Sequence, residues 1–258
     1  MADTLSNIKG ILFDINGVFH VDNRPIDGAI EIIERILDKF SCRFVTNTTT
    51  KSRQTFHQSL VDIGLPIPSS SIISAPYAAV LYLRQLDNPS CYLLLAEDVK
   101  SDFAEFEQSD TNPDVVVIGD IGDRWDYNIM NRVFKMLNDG AELIALHKGK
   151  YWQAEGELQL DIGAMVAGLE YASGKSATVV GKPSSSFFQL ALSELELPAE
   201  NVIMVGDDID SDVGGAKKEG IKGILVKTGK YRRELVEGSD VEPDGILRSV
   251  ADLEKILD

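Results

Sequence analysis

Short apolar runs alternate with amphipathic segments along most of the chain. The runs at 8–13, 42–46 and 202–205 are rich in Ile, Leu, Val and Phe and end at polar residues, which is typical of buried strands. The segments between them repeat apolar residues at helical spacing. Alternating strands and helices predict an α/β fold with a doubly wound parallel-sheet core and right-handed crossovers.

The pattern is interrupted once, by a block of about a hundred residues that has its own strands and helices. Outside the block we predict helices at 29–39, 51–63, 185–195 and 213–219, with strands at 8–13, 42–46, 202–205 and 223–226 and one after Thr178. Inside it we predict strands at 91–96, 114–119 and 142–146, helices at 127–138 and 165–172, and an antiparallel segment around 151–160. We therefore expect a discontinuous core, residues 1–75 and 175–258, with an inserted α/β cap domain at 76–174.

Composition and charge narrow the possible partners. The chain has 258 residues, with 41 acidic against 25 basic side chains and a formal net charge of −16. Such a surface repels nucleic acid and anionic membranes, so we expect neither as a partner. Two well-separated cysteines and no apolar run long enough to cross a membrane predict a soluble cytoplasmic protein.

The first cluster of candidate chemistry closes the first strand. Asp14 follows Ile11-Leu12-Phe13, and Gly17 permits a sharp reversal just beyond it. A carboxylate at that end of a parallel strand lies where ligands bind in open α/β sheets. Taken alone the signal is weak, since an Asp after a strand is more often a turn former or a helix cap.

Two further strands end in a similar way. Thr46 and Asn47 close the second strand just before a helix, a combination that suits a phosphate cradle, although ordinary helix capping explains it too. Lys182 stands between Gly181 and Pro183, which constrain the backbone around one positive charge. The alternative is a solvated surface lysine.

The fourth cluster is strongly acidic. Asp207, Asp208, Asp210 and Asp212 lie within six residues directly after a hydrophobic strand. Crowding of this kind is costly without a cation, and hard carboxylate oxygens suit Mg²⁺. The competing interpretation is an exposed acidic loop that caps a helix starting near Asp212.

In their order along the chain these four clusters resemble the motifs of the haloacid dehalogenase-like hydrolases, and within them subfamily IIA, which carries a large inserted cap. The resemblance runs from Gly10 to about Leu235 and includes the stretch Val226-Lys227-Thr228-Gly229-Lys230-Tyr231. It implies a phosphatase that acts on a small phosphorylated substrate with a cap that closes over the phosphate. It also implies a possible homodimer.

The resemblance assigns a role to each cluster. Asp14 would attack phosphorus and become an aspartyl phosphate. Thr46 and the backbone of Asn47 would bind the phosphoryl oxygens, while Lys182 would neutralise charge on both Asp14 and the transferred group. Such a site acts mostly by positioning and charge stabilisation.

The resemblance also implies a Mg²⁺ site. Asp14, Asp207 and the main-chain carbonyl of Asn16 would hold the ion. Asp208 and Asp212 would be outer ligands or would orient Lys182. Without a cation, anionic Asp14 would repel an anionic substrate.

Asn16 departs from the usual family pattern, which has a second Asp two residues after the nucleophile. An amide cannot act as the general acid or base. Loss of that group typically costs about 10²- to 10⁴-fold in rate. We therefore expect substrates whose leaving groups need little help, such as acyl phosphates, phosphoramidates, pyrophosphate or aryl phosphates.

Several other residues leave alternatives open. His20 could supply a proton or could simply lie on the flap after the first strand. Asp161 could place a loop over the pocket or act only as an N-cap, and Trp125, Tyr151 and Trp152 could stack on a ligand or pack the cap's own core. A phosphate- or phosphoprotein-binding regulator with little turnover is the alternative function. A carbon–halogen hydrolase would use the same Asp nucleophile, but it is disfavoured because that chemistry does not call for the Asp207 cluster.

Overall fold

The computed structural model describes residues 5, 7–154 and 157–257. The chain divides into two compact units. The core unit comprises the described residues up to Thr46, then Phe56–Ile73, and the chain from Lys182 onward; the insert unit comprises Asn47–Thr55 and Ser74–Gly181. Residues 47–55, 74–75 and 175–181 lie in the insert unit, whereas the sequence pattern places them in the core.

The regular elements follow one another in the alternating order expected from the sequence. The strands are β1 Gly10–Asp14, β2 His20–Val21, β3 Arg24–Pro25, β4 Ser41–Thr46, β5 Ile72–Ser74, β6 Cys91–Leu94, β7 Val115–Ile118, β8 Glu142–Ala145, β9 Tyr151–Ala154, β10 Glu157–Leu160, β11 Thr178–Val179, β12 Val202–Gly206, β13 Lys222–Val226 and β14 Gly245–Leu247. The α-helices are α1 Ala29–Leu37, α2 Arg53–Asp62, α3 Ala75–Gln85, α4 Tyr127–Asn138, α5 Gly163–Ser173, α6 Ser185–Leu195, α7 Gly215–Lys218 and α8 Arg233–Glu237.

The core unit is built on a six-stranded sheet in the order β14-β13-β12-β1-β4-β5. The four pairings from β14 to β4 are all parallel. Strand β1 lies at the centre, and all five of its residues are buried. Because parallel strands share a direction, the carboxyl ends of β1, β4 and β12 lie at one edge of the sheet. The predicted α/β fold with a parallel sheet is confirmed.

Aromatic packing secures this central strand. Phe13 stacks on Phe44 of the neighbouring strand with ring centroids 5.6 Å apart, and Phe19 meets Phe13 edge-on at 5.1 Å. All three side chains are fully buried, and each such burial contributes about 2–3 kcal/mol. The cluster holds the strand that ends at Asp14 against the turn that follows it.

The insert unit has its own four-stranded parallel sheet, in the order β11-β8-β7-β6, and an antiparallel hairpin of β9 and β10. Helices α4 and α5 cover the sheet with a separate apolar core. Trp125 packs against that core, in agreement with the structural alternative for this residue, while Trp152 on the hairpin is exposed.

One predicted helix is wrong in form. The sequence predicts an ordinary helix over 213–219, but the structure has a π-helical turn at Ile209–Gly214 followed by the short helix α7. Asp208 accepts hydrogen bonds from the N–H groups of Asp210 and Ser211 and so begins the helical segment four residues early. Side-chain capping of this kind overrides the apolar spacing on which the prediction depended.

Two general properties of the described chain bear on function. Its helices are all too short or too polar to cross a lipid bilayer. Cys42 and Cys91 are buried free thiols, and burial raises their pKa to about 12 and about 11, respectively. Thiols of this kind are poor nucleophiles.

Candidate active site

The sheet brings three motif residues to the same edge of the core unit. Asp14 is the last residue of β1 and pairs with Val45 of β4, so that Thr46 lies one residue further along the neighbouring strand. On the other side of β1, strand β12 ends at Gly206, and Asp207 follows it. Asp14, Thr46 and Asp207 are all buried.

Lys182 connects these strands. Its Nζ donates to Asp14 Oδ1 at 2.5 Å and lies 2.8 Å from Asp212 Oδ1. The same ammonium group reaches the Val45 carbonyl at 3.4 Å. Lys182 is only 4% exposed, so the surface-lysine alternative is wrong. The residue instead joins three segments that are remote in sequence.

Asp207 is enclosed by backbone. Its Oδ2 accepts the N–H of Lys230 at 2.7 Å. Gly17, which has the positive φ of +85° expected for a reversal, lies so close that a Cβ there would be 1.8 Å from the same oxygen. A side chain at position 17 would therefore displace Asp207 as well as strain the turn.

The acidic cluster divides into two pairs with different environments. Asp207 and Asp212 are buried, whereas Asp208 is partly exposed and Asp210 is exposed. Asp208 caps the π-helical turn, as the capping interpretation of this loop expected. That interpretation fails for Asp212, which turns inward to Lys182 and accepts the Asp208 N–H at 3.2 Å.

The electrostatics of the buried group are unbalanced. Burial, together with the negative charges of Asp14 and Asp212, raises the pKa of Asp207 well above its usual range. Burial also raises the pKa of Asp212, to about 6, although Lys182 opposes that rise. For Lys182, burial lowers the pKa, but the two carboxylates outweigh it and the pKa is raised. Three buried carboxylates thus face one buried ammonium group.

These residues fit a small divalent cation. Within the described chain, Asp14, Asp207 and Asp212 each offer a ligand oxygen, and those atoms lie within 4.8 Å of one another. Carboxylate oxygens are the ligands that Mg²⁺ prefers, and two positive charges would offset the excess negative charge. The raised pKa values of Asp207 and Asp212 reflect the same imbalance.

The other residues singled out in the sequence are not members of this buried carboxylate group. Asn16 is exposed in the turn after β1, where Gly17 N–H donates to the His20 carbonyl at 2.8 Å. His20 is a buried residue of the short flap strand β2. Asn47 and Asp161 belong to the insert unit. Asp161 accepts the N–H of Ile162, the residue directly before α5.

Sequence reasoning assigns no role to the residues after β13, although they contact the site directly. Thr228 Oγ1 donates to the Gly17 carbonyl at 2.5 Å, and the Lys230 N–H binds Asp207. The only signal in the sequence is a Thr-Gly pair two residues after a buried strand. That signal predicts a turn and says nothing about its contacts.

Comparison with known proteins agrees with this arrangement. A family profile described as haloacid dehalogenase-like hydrolase matches residues 11–108, and a second, described as HAD-hydrolase-like, matches 179–253. The phospholysine phosphohistidine inorganic pyrophosphate phosphatase of Rattus norvegicus is 36% identical to the chain, over 99% of this chain and 96% of that protein. The chain belongs to the haloacid dehalogenase-like hydrolases.

Other relatives place it more closely within that family. The haloacid dehalogenase-like hydrolase domain-containing protein 2 of Homo sapiens is 40% identical over 87% of this chain and 86% of that protein. A 4-nitrophenylphosphatase from Thermotoga maritima superposes with a TM-score of 0.91 at 25% identity and covers 99% of both chains. These relatives confirm the resemblance to subfamily IIA, and this haloacid dehalogenase-like protein is a hydrolase of the phosphatase class.

Proposed function

We propose that this haloacid dehalogenase-like protein is a Mg²⁺-dependent phosphatase that hydrolyses a small phosphorylated substrate through an aspartyl phosphate on Asp14. One observation carries the proposal: Lys182 ties Asp14 to Asp212 beside Asp207, so that a nucleophile, a fixed cation and a divalent-ion site share one edge of the sheet. Electrostatic stabilisation by preorganised groups of this kind is the main source of catalysis in phosphoryl transfer.

The ion is assigned to Asp14, Asp207 and the main-chain carbonyl of Asn16. Bound there, Mg²⁺ would supply positive charge to the phosphoryl oxygens and remove the repulsion between anionic Asp14 and an anionic substrate. Asp212 orients Lys182, and Asp208 shapes the helical turn behind the site. The buried group of Asp14, Asp207 and Asp212 supports this proposed requirement for a cation.

The chain's own residues act in two steps. An oxygen of Asp14 forms a bond to phosphorus while the bond to the leaving group breaks, and the leaving group departs with the electron pair. Water then bonds to phosphorus, and the carboxylate of Asp14 departs with its electron pair while the proton of the water passes to the released phosphate. Thr46, the Asn47 backbone and Lys182 bind the phosphoryl oxygens in both steps.

Asn16 restricts the substrates for which this scheme is fast. Its amide cannot protonate a leaving group, so good leaving groups are favoured. Two relatives support this view by their names alone: one is a phosphatase of phospholysine, phosphohistidine and inorganic pyrophosphate, and the other is a 4-nitrophenylphosphatase. Phosphoramidates, pyrophosphate and aryl phosphates are therefore the proposed substrate classes, and the insert unit is the proposed substrate-selecting cap.

The test is a Mg²⁺-dependent screen of paired aryl and alkyl phosphates, phosphoramidates and pyrophosphate, with Asp14→Asn as the blank. We expect turnover of aryl phosphates, phosphoramidates and pyrophosphate to exceed that of alkyl phosphates. This turnover should stop when a chelator is added and should be inhibited by beryllium fluoride. Equal rates on aryl and alkyl phosphates would reject the role given to Asn16. Turnover that survives in Asp14→Asn would reject the nucleophile.

The same screen separates the enzyme from a phosphate-binding regulator. A regulator would bind phosphate in a Mg²⁺-dependent manner yet release no product above the Asp14→Asn blank. Asp123→Asn is a suitable charge-matched control, because Asp123 is an exposed residue of the insert unit and should leave turnover unchanged.

A further inference from the structure

Three consecutive residues after β13 contact both the nucleophile turn and Asp207. Thr228 donates its hydroxyl to the Gly17 carbonyl at 2.5 Å, and the Lys230 N–H donates to Asp207 Oδ2 at 2.7 Å. Gly229 stands between them with φ +58°, a conformation that L side chains rarely adopt. The segment therefore bonds to two motifs that are separated from each other by most of the chain.

Close packing reinforces these hydrogen bonds. A Cβ on Gly229 would lie 2.0 Å from Asp207 Oδ2 and 2.4 Å from the Gly17 Cα. A Cβ on Gly17 would lie 1.8 Å from the same Asp207 oxygen. Two glycines thus enclose one carboxylate oxygen, and neither position has room for another residue without moving Asp207.

The enclosure makes the two oxygens of Asp207 unequal. Oδ2 is occupied by the Lys230 N–H and covered by the two glycines, which leaves Oδ1 as the oxygen available to a cation. Removing a group that holds a metal ligand in position typically lowers metal affinity or activity about 10- to 100-fold.

We propose that Thr228, Gly229 and Lys230 form a clamp that fixes the nucleophile turn against Asp207, so that Asp207 presents a single oxygen to Mg²⁺. The effect of the clamp on catalysis rests on the proposed function. Its effect on Mg²⁺ binding can be measured without substrate. Thr228 and Lys230 are positioning residues, since their contacts are with Gly17 and Asp207.

The Lys230 side chain has a separate effect from its backbone. Its Nζ lies 3.8 Å from Asp208 Oδ2, on the partly exposed side of the acidic cluster. An exposed pair at that distance adds little to stability. Its positive charge nevertheless weakens the binding of a nearby divalent cation and strengthens the binding of a nearby anionic substrate. Both effects are Coulomb interactions and need no direct contact.

The experiment measures Mg²⁺ binding by calorimetry on the whole protein without substrate. Thr228→Val, which removes the hydroxyl and keeps the shape, should weaken Mg²⁺ binding about tenfold. Thr228→Ser keeps the hydroxyl and should restore it. Thr178→Val is the matched control, since Thr178 is an exposed strand residue of the insert unit. Thr228→Ala serves as a second test if the valine variant does not fold.

Lys230→Met, unlike Thr228→Val, is not expected to weaken Mg²⁺ binding. The comparison therefore distinguishes a loss of positioning from general damage to the site. Lys230→Met removes a charge and keeps the backbone N–H, so Mg²⁺ affinity should stay equal or increase while KM for an anionic substrate rises. Lys218→Met removes an equal charge from the exposed end of α7 and should change neither quantity.

The outcomes distinguish the clamp from the proposed function. Unchanged Mg²⁺ affinity in both Thr228→Val and Thr228→Ala, or equal loss in Thr228→Ser, would overturn the clamp while leaving the phosphatase intact. Loss of Mg²⁺ binding in Thr228→Val, alongside a wild-type protein that binds Mg²⁺ but hydrolyses nothing, would support the clamp and overturn only the phosphatase. A wild-type protein that binds no Mg²⁺ would overturn both.

Discussion

The carboxylate of Asp98 in the insert unit and the carboxylates of Asp207 and Asp212 in the core unit have different electrostatic environments. In the insert unit, Asp98 accepts the Ser52 N–H at 2.7 Å and the Thr55 hydroxyl at 3.0 Å, at the start of helix α2. These hydrogen bonds, that of Ser52 foremost, hold the pKa of Asp98 below its usual range. In the core unit, Asp207 and Asp212 face other carboxylates, and their pKa values are raised.

The difference distinguishes a carboxylate whose charge is satisfied by hydrogen bonds from carboxylates whose charge is satisfied only in part. Donors that point at Asp98 satisfy its charge without any further group, as a helix cap does. The core carboxylates are satisfied only in part by Lys182, so the folded protein keeps an excess of negative charge at the edge of its sheet. Unbalanced groups of this kind indicate a site for a ligand or ion.

The largest expected effect comes from adding the missing acid to the core group. Asn16→Asp should raise the rate on alkyl phosphates by about 10²- to 10⁴-fold, because the new carboxyl can protonate a poor leaving group. The measurement is kcat on matched alkyl and aryl phosphates, with the aryl rate changing less. An unchanged or lower alkyl rate would count against the role assigned to position 16.

Removing the buried cation Lys182 should be the largest effect on stability. Lys182→Met leaves Asp14 and Asp212 buried without their partner, which typically costs about 3–5 kcal/mol. Urea denaturation of the metal-free proteins measures it, with Lys218→Met as the exposed control. Saturating Mg²⁺ should recover part of the loss. Equal stability of the two variants would mean that the core carboxylates are not in excess.

The pH dependence of stability should have opposite signs in the two groups. Because the folded-state pKa of Asp212 is raised to about 6, the folded protein holds that proton more tightly than the unfolded chain does. This contribution is present below about pH 4 and is lost as pH rises through about 6, by about 3 kcal/mol in total. Asp98, with its lowered pKa, contributes stability that is lost only as pH falls below about 4.

Thermal melts with a chelator at pH 5 and pH 7.5 measure the core term. We expect a lower Tm at pH 7.5 for the metal-free protein, a smaller difference in Asp212→Asn, and recovery when Mg²⁺ is added at pH 7.5. A metal-free protein that is equally or more stable at pH 7.5 in both the wild type and Asp212→Asn would contradict the charge imbalance.

The smallest expected effect is in the insert unit. Asp98→Ala removes the acceptor for Ser52 and Thr55 and should cost about 1 kcal/mol, as loss of a helix cap does. Mg²⁺ affinity should not change, whereas Asp207→Ala should abolish it. Asp123→Ala is the matched control for stability. A loss of Mg²⁺ affinity in Asp98→Ala would contradict the purely structural role given to Asp98.

The ends of the core strands were predictable because the apolar runs of buried strands stop at Asp14, Thr46 and Gly206. Lys182 was predictable for a local reason, since Gly181 and Pro183 constrain its backbone. The two-residue strands β2 and β3 were missed because so short a pairing leaves no period to detect. The π-helical turn was missed because it depends on hydrogen bonds to the side chain of Asp208.

The clamp was out of reach of the sequence for a different reason. The hydrogen bond between Thr228 and Gly17 joins residues 211 positions apart, and the enclosure of Asp207 depends on how β12 and β13 lie beside β1. No local pattern encodes such a contact. The sequence therefore predicts candidate residues for the chemistry, whereas the residues that contact those candidates emerge only from the fold.

The most direct test of the central claim is covalent trapping on Asp14. The protein is mixed with a ³²P-labelled aryl phosphate and Mg²⁺, quenched rapidly in acid, and mapped by peptide. We predict label on the peptide that contains Asp14, its absence in Asp14→Asn, and its loss when the quenched protein is treated with hydroxylamine. Full turnover in the wild type with no label on that peptide, or the same label in Asp14→Asn, would contradict an aspartyl phosphate at this residue.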